Sequence, residues 1–219
     1  MSRKKLIFVT IAMCSFMITS AQHNYREYNR LGLTAGVNFF DIETDNFVTE
    51  SDTGFMGAFT TRGNFYNNID LLYGIGFMQN NVGVLVVNEQ GNGTEFAKMR
   101  INSAQIRFLA GINLIKHHLS LDVGPILNVN GKLKLDNTNL EERRVVGFES
   151  TTAKDLENIS PVNFRVQGGL TLGFEHFRVN GYYQYGVTNM LNRLSDENLE
   201  NTEFKGNSGT LAIAATFYF

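Results

Sequence analysis

Hydrophobic and polar residues alternate along most of the chain with a period of two, which is typical of β-strands that present one apolar face. In the segment RLGLTAGVNFF, residues 30–40, Leu31, Leu33 and Val37 share a face, and glycine, threonine and asparagine occupy the other. Segment 54–61 shows the pattern less distinctly. When segment 54–61 is counted as a strand, we expect eight strands, each long enough to cross a bilayer at a tilt. The remaining six segments are residues 68–78, 104–115, 118–129, 162–174, 177–188 and 210–219.

The connections between these segments alternate in length. Only Lys116–His118 and Glu175–His176 separate two of the pairs, and we also expect a short turn at RGNFYNN, residues 62–68. The acidic segment 41–52 and the segment of about 30 residues that ends at Pro161 predict long loops. Strict alternation of long and short connections indicates an antiparallel up-and-down β-barrel, with the long loops at one end. A sandwich or Greek key would not be expected to produce it.

Alternation alone does not distinguish a transmembrane barrel from a soluble barrel that encloses a ligand. The polar face is rich in glycine, as the crowded interior of a narrow barrel requires. Aromatic residues cluster near strand ends, as in the girdles of membrane barrels. Charges within strands lie only on the polar face, where they can pair across the lumen, which favours the membrane barrel. The predicted lumen network consists of Asp70, Arg107, Asp122, Arg165 and Arg178.

The first 21 residues have the parts of a secretory signal peptide. MSRKK is basic, LIFVTIAMCSFMI is apolar, and Thr19 and Ala21 are small residues before a predicted cleavage after Ala21. An N-terminal anchor is the alternative, but the apolar run is short for a span of about 20 residues. The only cysteine, Cys14, lies in this segment. We therefore expect export through the Sec pathway and a cysteine-free barrel domain over residues 22–219.

Four stretches carry a family resemblance: the segment ending in SAQ, LGLTAGVNF in the first strand, VGP in the fifth and YYQYGVTNM in the seventh. They resemble the Bacteroidetes outer-membrane β-barrel family that is often called PorT-like. The resemblance implies insertion into the cell outer membrane by the barrel-assembly machinery, with Phe217 and Phe219 as the C-terminal assembly signal. One member of that family is linked to type IX secretion, but membership does not transfer this role to the chain.

Catalysis, metal binding and nucleic-acid binding are not expected. His23, His117, His118 and His176 precede the first strand or lie at short turns, away from the outer leaflet where a lipid-modifying barrel enzyme would act. The loop carboxylates are not spaced as in an EF-hand. A net charge of −2 gives no basic surface for nucleic acid. We therefore expect no catalytic residues, no metal and no cofactor.

The remaining surface for function is the set of long loops, because side chains fill the interior of an eight-stranded barrel. We expect a monomer that acts as a structural or surface-interaction component. Its expected partners are outer-membrane lipid, lipopolysaccharide and a protein at the loops. An accessory role in a secretion system and a lipid-modifying enzyme are the alternatives.

Overall fold

The computed structural model describes residues 29–89, 91–197 and 199–219. The predicted signal peptide, residues 1–21, lies outside these ranges, as does His23. Within them, no helix is long and apolar enough to span a membrane. Three short 3₁₀ helices occur at Thr138–Leu140, Lys154–Glu157 and Asn192–Asp196. The strands are β1 (Asn29–Glu43), β2 (Thr49–Tyr66), β3 (Ile69–Val87), β4 (Thr94–Ile115), β5 (Leu119–Asn130), β6 (Lys134–Leu135), β7 (Val162–Gly173), β8 (Phe177–Gly186) and β9 (Asn207–Tyr218).

The eight long strands pair edge to edge into a closed ring. Every pairing is antiparallel, and β5 pairs with β7. The ring closes where β9 pairs with β1, from Tyr218 opposite Gly32 to Asn207 opposite Glu43. The two-residue strand β6 pairs only with the N-terminal part of β4. The predicted all-β antiparallel class is therefore confirmed, and β6 makes nine strands of the described residues where eight were expected.

Short and long connections lie at opposite ends of the ring. The short-turn end holds residues 67–68, 116–118 and 174–176. Asn67 and His117 have φ angles of 48° and 66° there, a left-handed conformation that reverses the chain within few residues. The long-loop end holds the connections at 44–48, 88–93, 131–161 and 187–206, of which the third contains β6.

Two expected connections are strand in the structure. The acidic segment 41–52 was expected to be a loop, but β1 runs to Glu43 and β2 starts at Thr49. The expected turn at 62–68 is also mostly strand, since β2 continues to Tyr66. Both segments are polar, and a strand that faces the lumen or extends beyond the apolar zone does not need apolar residues. The polar residues of these segments therefore led to wrong predicted boundaries for the first two strands.

The two faces of the ring differ as the alternation predicts. Leu33, Phe59, Ile75, Phe164 and Ile213 point outward and are 49–56% exposed, so the outer surface is apolar. The inward face buries polar and charged groups, including the predicted lumen residues, which are 1–8% exposed.

The long-loop end is closed by a buried hydrophobic cluster, which we call the apolar cap. Its side chains come from the ends of β1, β3 and β4 and from three of the long connections, and each is at most 6% exposed. The cap covers the lumen at this end, while polar groups fill the lumen within the ring. The cap comprises Phe40, Ile42, Phe47, Val82, Val84, Met99, Ile101, Leu133, Val145, Leu156, Ile159, Met190, Leu191, Leu194 and Phe204.

Candidate functional site

An ion-pair network around Arg62 lies inside the ring. Arg62 Nε donates to Asp70 Oδ2 at 2.7 Å, and Nη2 donates to Ser120 Oγ at 2.7 Å and to Asp122 Oδ1 at 3.5 Å. Both Arg62 and Asp70 are 1% exposed, and Asp122 is 4% exposed. The network joins β2, β3 and β5, and in this low-dielectric interior its hydrogen bonds are charge-assisted.

Further hydrogen bonds extend this network along the inner wall of the ring. Asp122 accepts from Thr171 Oγ1 at 2.5 Å, and Thr171 accepts from Asn180 Nδ2 at 3.2 Å. Thr216 donates to Asn180 at 3.4 Å and bonds to Thr34 at 2.8 Å. The chain of bonds thereby passes from β5 through β7, β8 and β9 to β1, so these five side chains provide hydrogen-bond partners for one another.

Gly111 on β4 provides the space through which Arg62 reaches β5. A Cβ atom at this position would lie 2.8 Å from Arg62 Nη2 and 2.9 Å from Asp122 Oδ1. Real Cβ atoms do not make such contacts, so a larger residue would displace the guanidinium group from the carboxylate. This glycine therefore has a steric role in the network.

Side chains cross the middle of the lumen. Gln105 Nε2 on β4 donates to Gln184 Oε1 on β8 at 3.0 Å, and Gln184 Nε2 donates to Gln167 Oε1 at 3.2 Å. The Tyr182 hydroxyl on β8 donates to Met56 Sδ on β2 at 2.8 Å. A cavity of about 30 Å³ remains beside them, which is the room of about one water molecule. The lumen is therefore a packed interior.

A second chain of hydrogen bonds, made of amides and a hydroxyl, runs along part of the inner wall toward the long-loop end. Asn80 accepts from Asn38 and donates to Ser103, both at 3.2 Å. Ser103 donates to Asn130 at 3.1 Å, and Asn130 donates to Asn163 at 2.5 Å. These bonds connect β1, β3, β4, β5 and β7 directly below the cap.

The structure brings together only part of the predicted lumen network. Asp70 and Asp122 both contact Arg62, a residue that the sequence analysis placed in a turn. Arg178 Nη2 donates to the His117 carbonyl at 3.3 Å. Arg107 and Arg165 were expected to pair with acidic residues across the lumen, but in the described ranges no ion pair includes either of them. The network could have been completed from the sequence only by extending the second strand to Arg62.

The two aromatic residues of the predicted assembly signal lie on the outer surface at the short-turn end. Phe217 and Phe219 are 55% and 60% exposed. The backbone N–H of Phe219 donates to the Leu31 carbonyl at 2.9 Å, which continues the pairing between β9 and β1. Both rings therefore extend the apolar exterior of the closing strand pair.

The three described histidines lie at or beside the short turns. His118 Nδ1 contacts the Gly173 carbonyl at 3.1 Å, and His176 Nδ1 contacts the Tyr218 carbonyl at 2.9 Å. His117 has its positive φ angle in the turn between β4 and β5. They contact the backbone of neighbouring turns and strands at the end opposite the long loops.

The long connections are held to one another by polar contacts above the cap. The Glu200 carboxylate accepts from the backbone N–H groups of Glu149 and Ser150 at 2.7 and 3.0 Å. The hydrogen bonds from Ser150 and Glu149 lower the pKa of Glu200 from its ordinary value. Asn158 donates to Glu197 at 2.6 Å. The two longest connections, 131–161 and 187–206, thus form one surface.

A closed antiparallel ring with an apolar exterior and a polar, filled interior is the architecture of an outer-membrane β-barrel. The sequence model of the family described as "Outer membrane protein beta-barrel domain" matches residues 20–192. The chain belongs to this family, and the protein is an outer-membrane β-barrel protein.

Solved structures of bacterial surface proteins are similar to this chain. Neisserial surface protein A (NspA) is 12% identical with a TM-score of 0.49, and the match covers 86% of this chain and 97% of that chain. Ail, the attachment invasion locus protein of Yersinia pestis, is 15% identical with a TM-score of 0.47, and the match covers 87% and 99%. A comparison with curated protein sequences finds no match.

Proposed function

We propose that the eight long strands form a transmembrane barrel that acts as a structural or surface-interaction component through its long loops. In this arrangement the short turns lie in the periplasm and the long loops lie at the cell surface. The observation that carries the proposal is the filled lumen: hydrogen-bonded side chains cross it, and the apolar cap covers it. The surface that remains for recognition is the one formed by the loops.

The two longest loops are suited to binding because they pack against each other without a partner. The connections 131–161 and 187–206 share the buried cap residues Leu156, Leu194 and Phe204. Glu200 joins the same two connections through the backbone at Ser150. A preorganised surface loses less conformational entropy on binding, so contacts made there contribute more fully to affinity.

Cysteine labelling tests the topology. The predicted mature chain has no cysteine, so Asn92→Cys in the β3–β4 turn and Lys116→Cys in the β4–β5 turn would each carry one exposed thiol. We expect a membrane-impermeant maleimide to label Asn92→Cys on intact cells, and Lys116→Cys only after the outer membrane is opened. The reverse result would invert the orientation, and labelling of both on intact cells would contradict a membrane-spanning barrel.

We propose that the protein is a monomer. We also propose that it has no enzymatic activity and binds no metal or cofactor. This proposal is supported by the position of His117, His118 and His176, which lie at the end opposite the loops. Unaltered lipid A and phospholipids after deletion of the gene would agree with it. A change in lipid A that the wild-type gene reverses would favour the lipid-modifying alternative. A stoichiometric partner after mild detergent extraction would favour an accessory role in secretion.

We further propose that the chain is a PorT-like member of the family, exported through the Sec pathway and cleaved after Ala21. The barrel-assembly machinery would then recognise Phe217 and Phe219, and lipopolysaccharide would surround the outer half of the barrel. The exposed position of both rings on the closing strand pair supports this role. Phe219→Ala should slow membrane insertion, while Phe174→Ala, at a similarly exposed ring in a turn, should not.

A further inference from the structure

Positive and negative charges are balanced in only one part of the lumen. Toward the short-turn end, Arg62 and Arg178 share the interior with Asp70 and Asp122, which gives two charges of each sign. Arg107 and Arg165 supply two more positive charges, and they are 8% and 1% exposed. The buried side chains of the described residues therefore include four guanidinium groups and two carboxylates.

Arg107 and Arg165 project from one row of the ring. Arg107 on β4 lies opposite Ile126 on β5, and Ile126 lies opposite Arg165 on β7. Their backbones are thus two strand spacings apart, or about 10 Å. Both side chains are buried and face inward from this row, so they lie at the same level of the lumen. No carboxylate of the described residues lies within 4.0 Å of either group.

Arg165 also has donors that no protein acceptor reaches. Its Nη1 donates to Thr210 Oγ1 at 3.3 Å, and its guanidinium carbon lies 5.8 Å from the centre of the Phe40 ring. Its Nε and Nη2 are buried, and no acceptor of the described residues is within hydrogen-bonding distance. A buried charge without a counter-charge or full hydrogen bonding is strongly destabilising.

We infer that the folded barrel holds a small monovalent anion of the halide class, such as chloride, in the lumen at Arg165 and Arg107. An anion would accept from the unused donors of Arg165 and offset the excess positive charge. Arg107 lines a cavity that Asp122 also lines and Arg165 does not, so the anion would lie at its Arg107 side, where the Arg165 donors would have to reach it. This cavity, of about 30 Å³ and bordered by Gln167 and Tyr182 as well, admits a particle of the size of a water molecule or a halide ion. It leaves no room for a phosphate ester or an organic acid.

The anion would be enclosed during folding. The bonds between Gln105 and Gln184 and between Tyr182 and Met56 cross the lumen, and the apolar cap covers one end. The experiment should therefore vary the anion during refolding. Adding salt to a folded barrel would be a poor test, because exchange through the closed lumen would be slow.

The full chain without residues 1–21 would be refolded into detergent or lipid in sodium chloride or sodium gluconate at constant ionic strength, and its unfolding in urea measured. Above the dissociation constant, a tenfold rise in chloride should raise the folding equilibrium constant about tenfold for one bound ion. Arg165→Met should lose this dependence and should be more stable than the wild type in gluconate. Lys98→Met, which removes a surface cation, should retain the wild-type dependence.

Crystals grown in bromide give a second measurement that does not require a variant to fold. A bromide peak in anomalous diffraction within hydrogen-bonding distance of Arg165 would support the inference, as would a chloride dependence that Arg165→Met abolishes. Equal chloride dependence in the wild type and Arg165→Met would overturn it. So would a lumen without bromide after refolding in bromide.

Discussion

Replacing Arg62 with methionine should destabilise the barrel more than other substitutions of comparable size. The side chain is 1% exposed and makes hydrogen bonds of 2.7 Å to Asp70 and 2.7 Å to Ser120. Methionine fills much of the same volume but leaves the Asp70 carboxylate buried without its cation. Breaking a buried ion pair from one side costs about 3–5 kcal/mol. Because 1.4 kcal/mol is a factor of ten, the folding equilibrium constant should fall by about two to four powers of ten.

A double-mutant cycle separates this ion pair from the rest of the network. Arg62→Met, Asp70→Asn and the double variant would be unfolded in urea in lipid vesicles, with far-UV circular dichroism and gel mobility as independent signals. The double variant should be more stable than Arg62→Met alone, because the uncompensated carboxylate is gone. Lys98→Met provides the exposed control, since the side chains of Lys98 and Asp52 are 67% and 30% exposed, and should change stability by about 1 kcal/mol or less.

Two outcomes would refute this reasoning. If Arg62→Met unfolded at the wild-type urea concentration, the interior around Asp70 would be hydrated enough to solvate a free carboxylate. If Asp70→Asn failed to recover any stability in the double variant, the loss would arise from packing around Arg62 and not from unpaired charge.

Three further changes test the lumen, the lipid face and the loops. Gly169→Ala should cost about 1–3 kcal/mol, because its Cβ would lie 2.3 Å from Tyr182 Cβ. Ile213→Arg on the lipid face of β9 should cost about 2–4 kcal/mol in vesicles. Glu200→Gln should lower hydrogen-exchange protection at Ser150 at neutral pH. The lowered pKa of Glu200 means that the wild-type contact is fully present above the unfolded pKa and is lost as the pH falls through the folded pKa.

Each of these predictions has a matched control or a result that contradicts it. Gly168→Ala is the neighbour control, since a Cβ at this outward position meets nothing within 4 Å. Equal losses at the two glycines would contradict a steric role for Gly169. Undiminished stability of Ile213→Arg in vesicles would place that face outside lipid. Protection at Ser150 that falls in acid in both the wild type and Glu200→Gln would assign the pH dependence to another group.

The sequence was sufficient to predict which residues face outward because one physical constraint acts on every strand. Outward positions such as Leu33 and Ile213 are apolar, and many inward positions, such as Asp70 and Arg165, are polar, with a period of two. Most strands of the ring follow this alternation, so the faces of most segments could be assigned from their own residues. The antiparallel class followed from the connections, because short turns can join only neighbouring antiparallel strands.

The apolar cap could not be predicted in this way, because its members come from connections that have no period. Leu156, Met190, Leu194 and Phe204 are buried by contacts between loops that are far apart in the chain. Single apolar residues in a polar loop resemble ordinary exposed residues until the fold brings them together. The sequence therefore carries no signal of a shared core in the loops, and the structure shows that they have one.

The partner of the two buried aspartates was missed for a related reason. Arg62 begins the stretch RGNFYNN, whose glycine and asparagines resemble a turn, and only the pairing of β2 with β1 and β3 identifies it as an inward strand residue. The gap at Gly111 that lets Arg62 reach Asp122 is on a third strand. Charge balance in the lumen thus depends on three strands, whereas the alternation pattern describes one strand at a time. The residues that pair, and those such as Arg165 that do not, are properties of the closed ring.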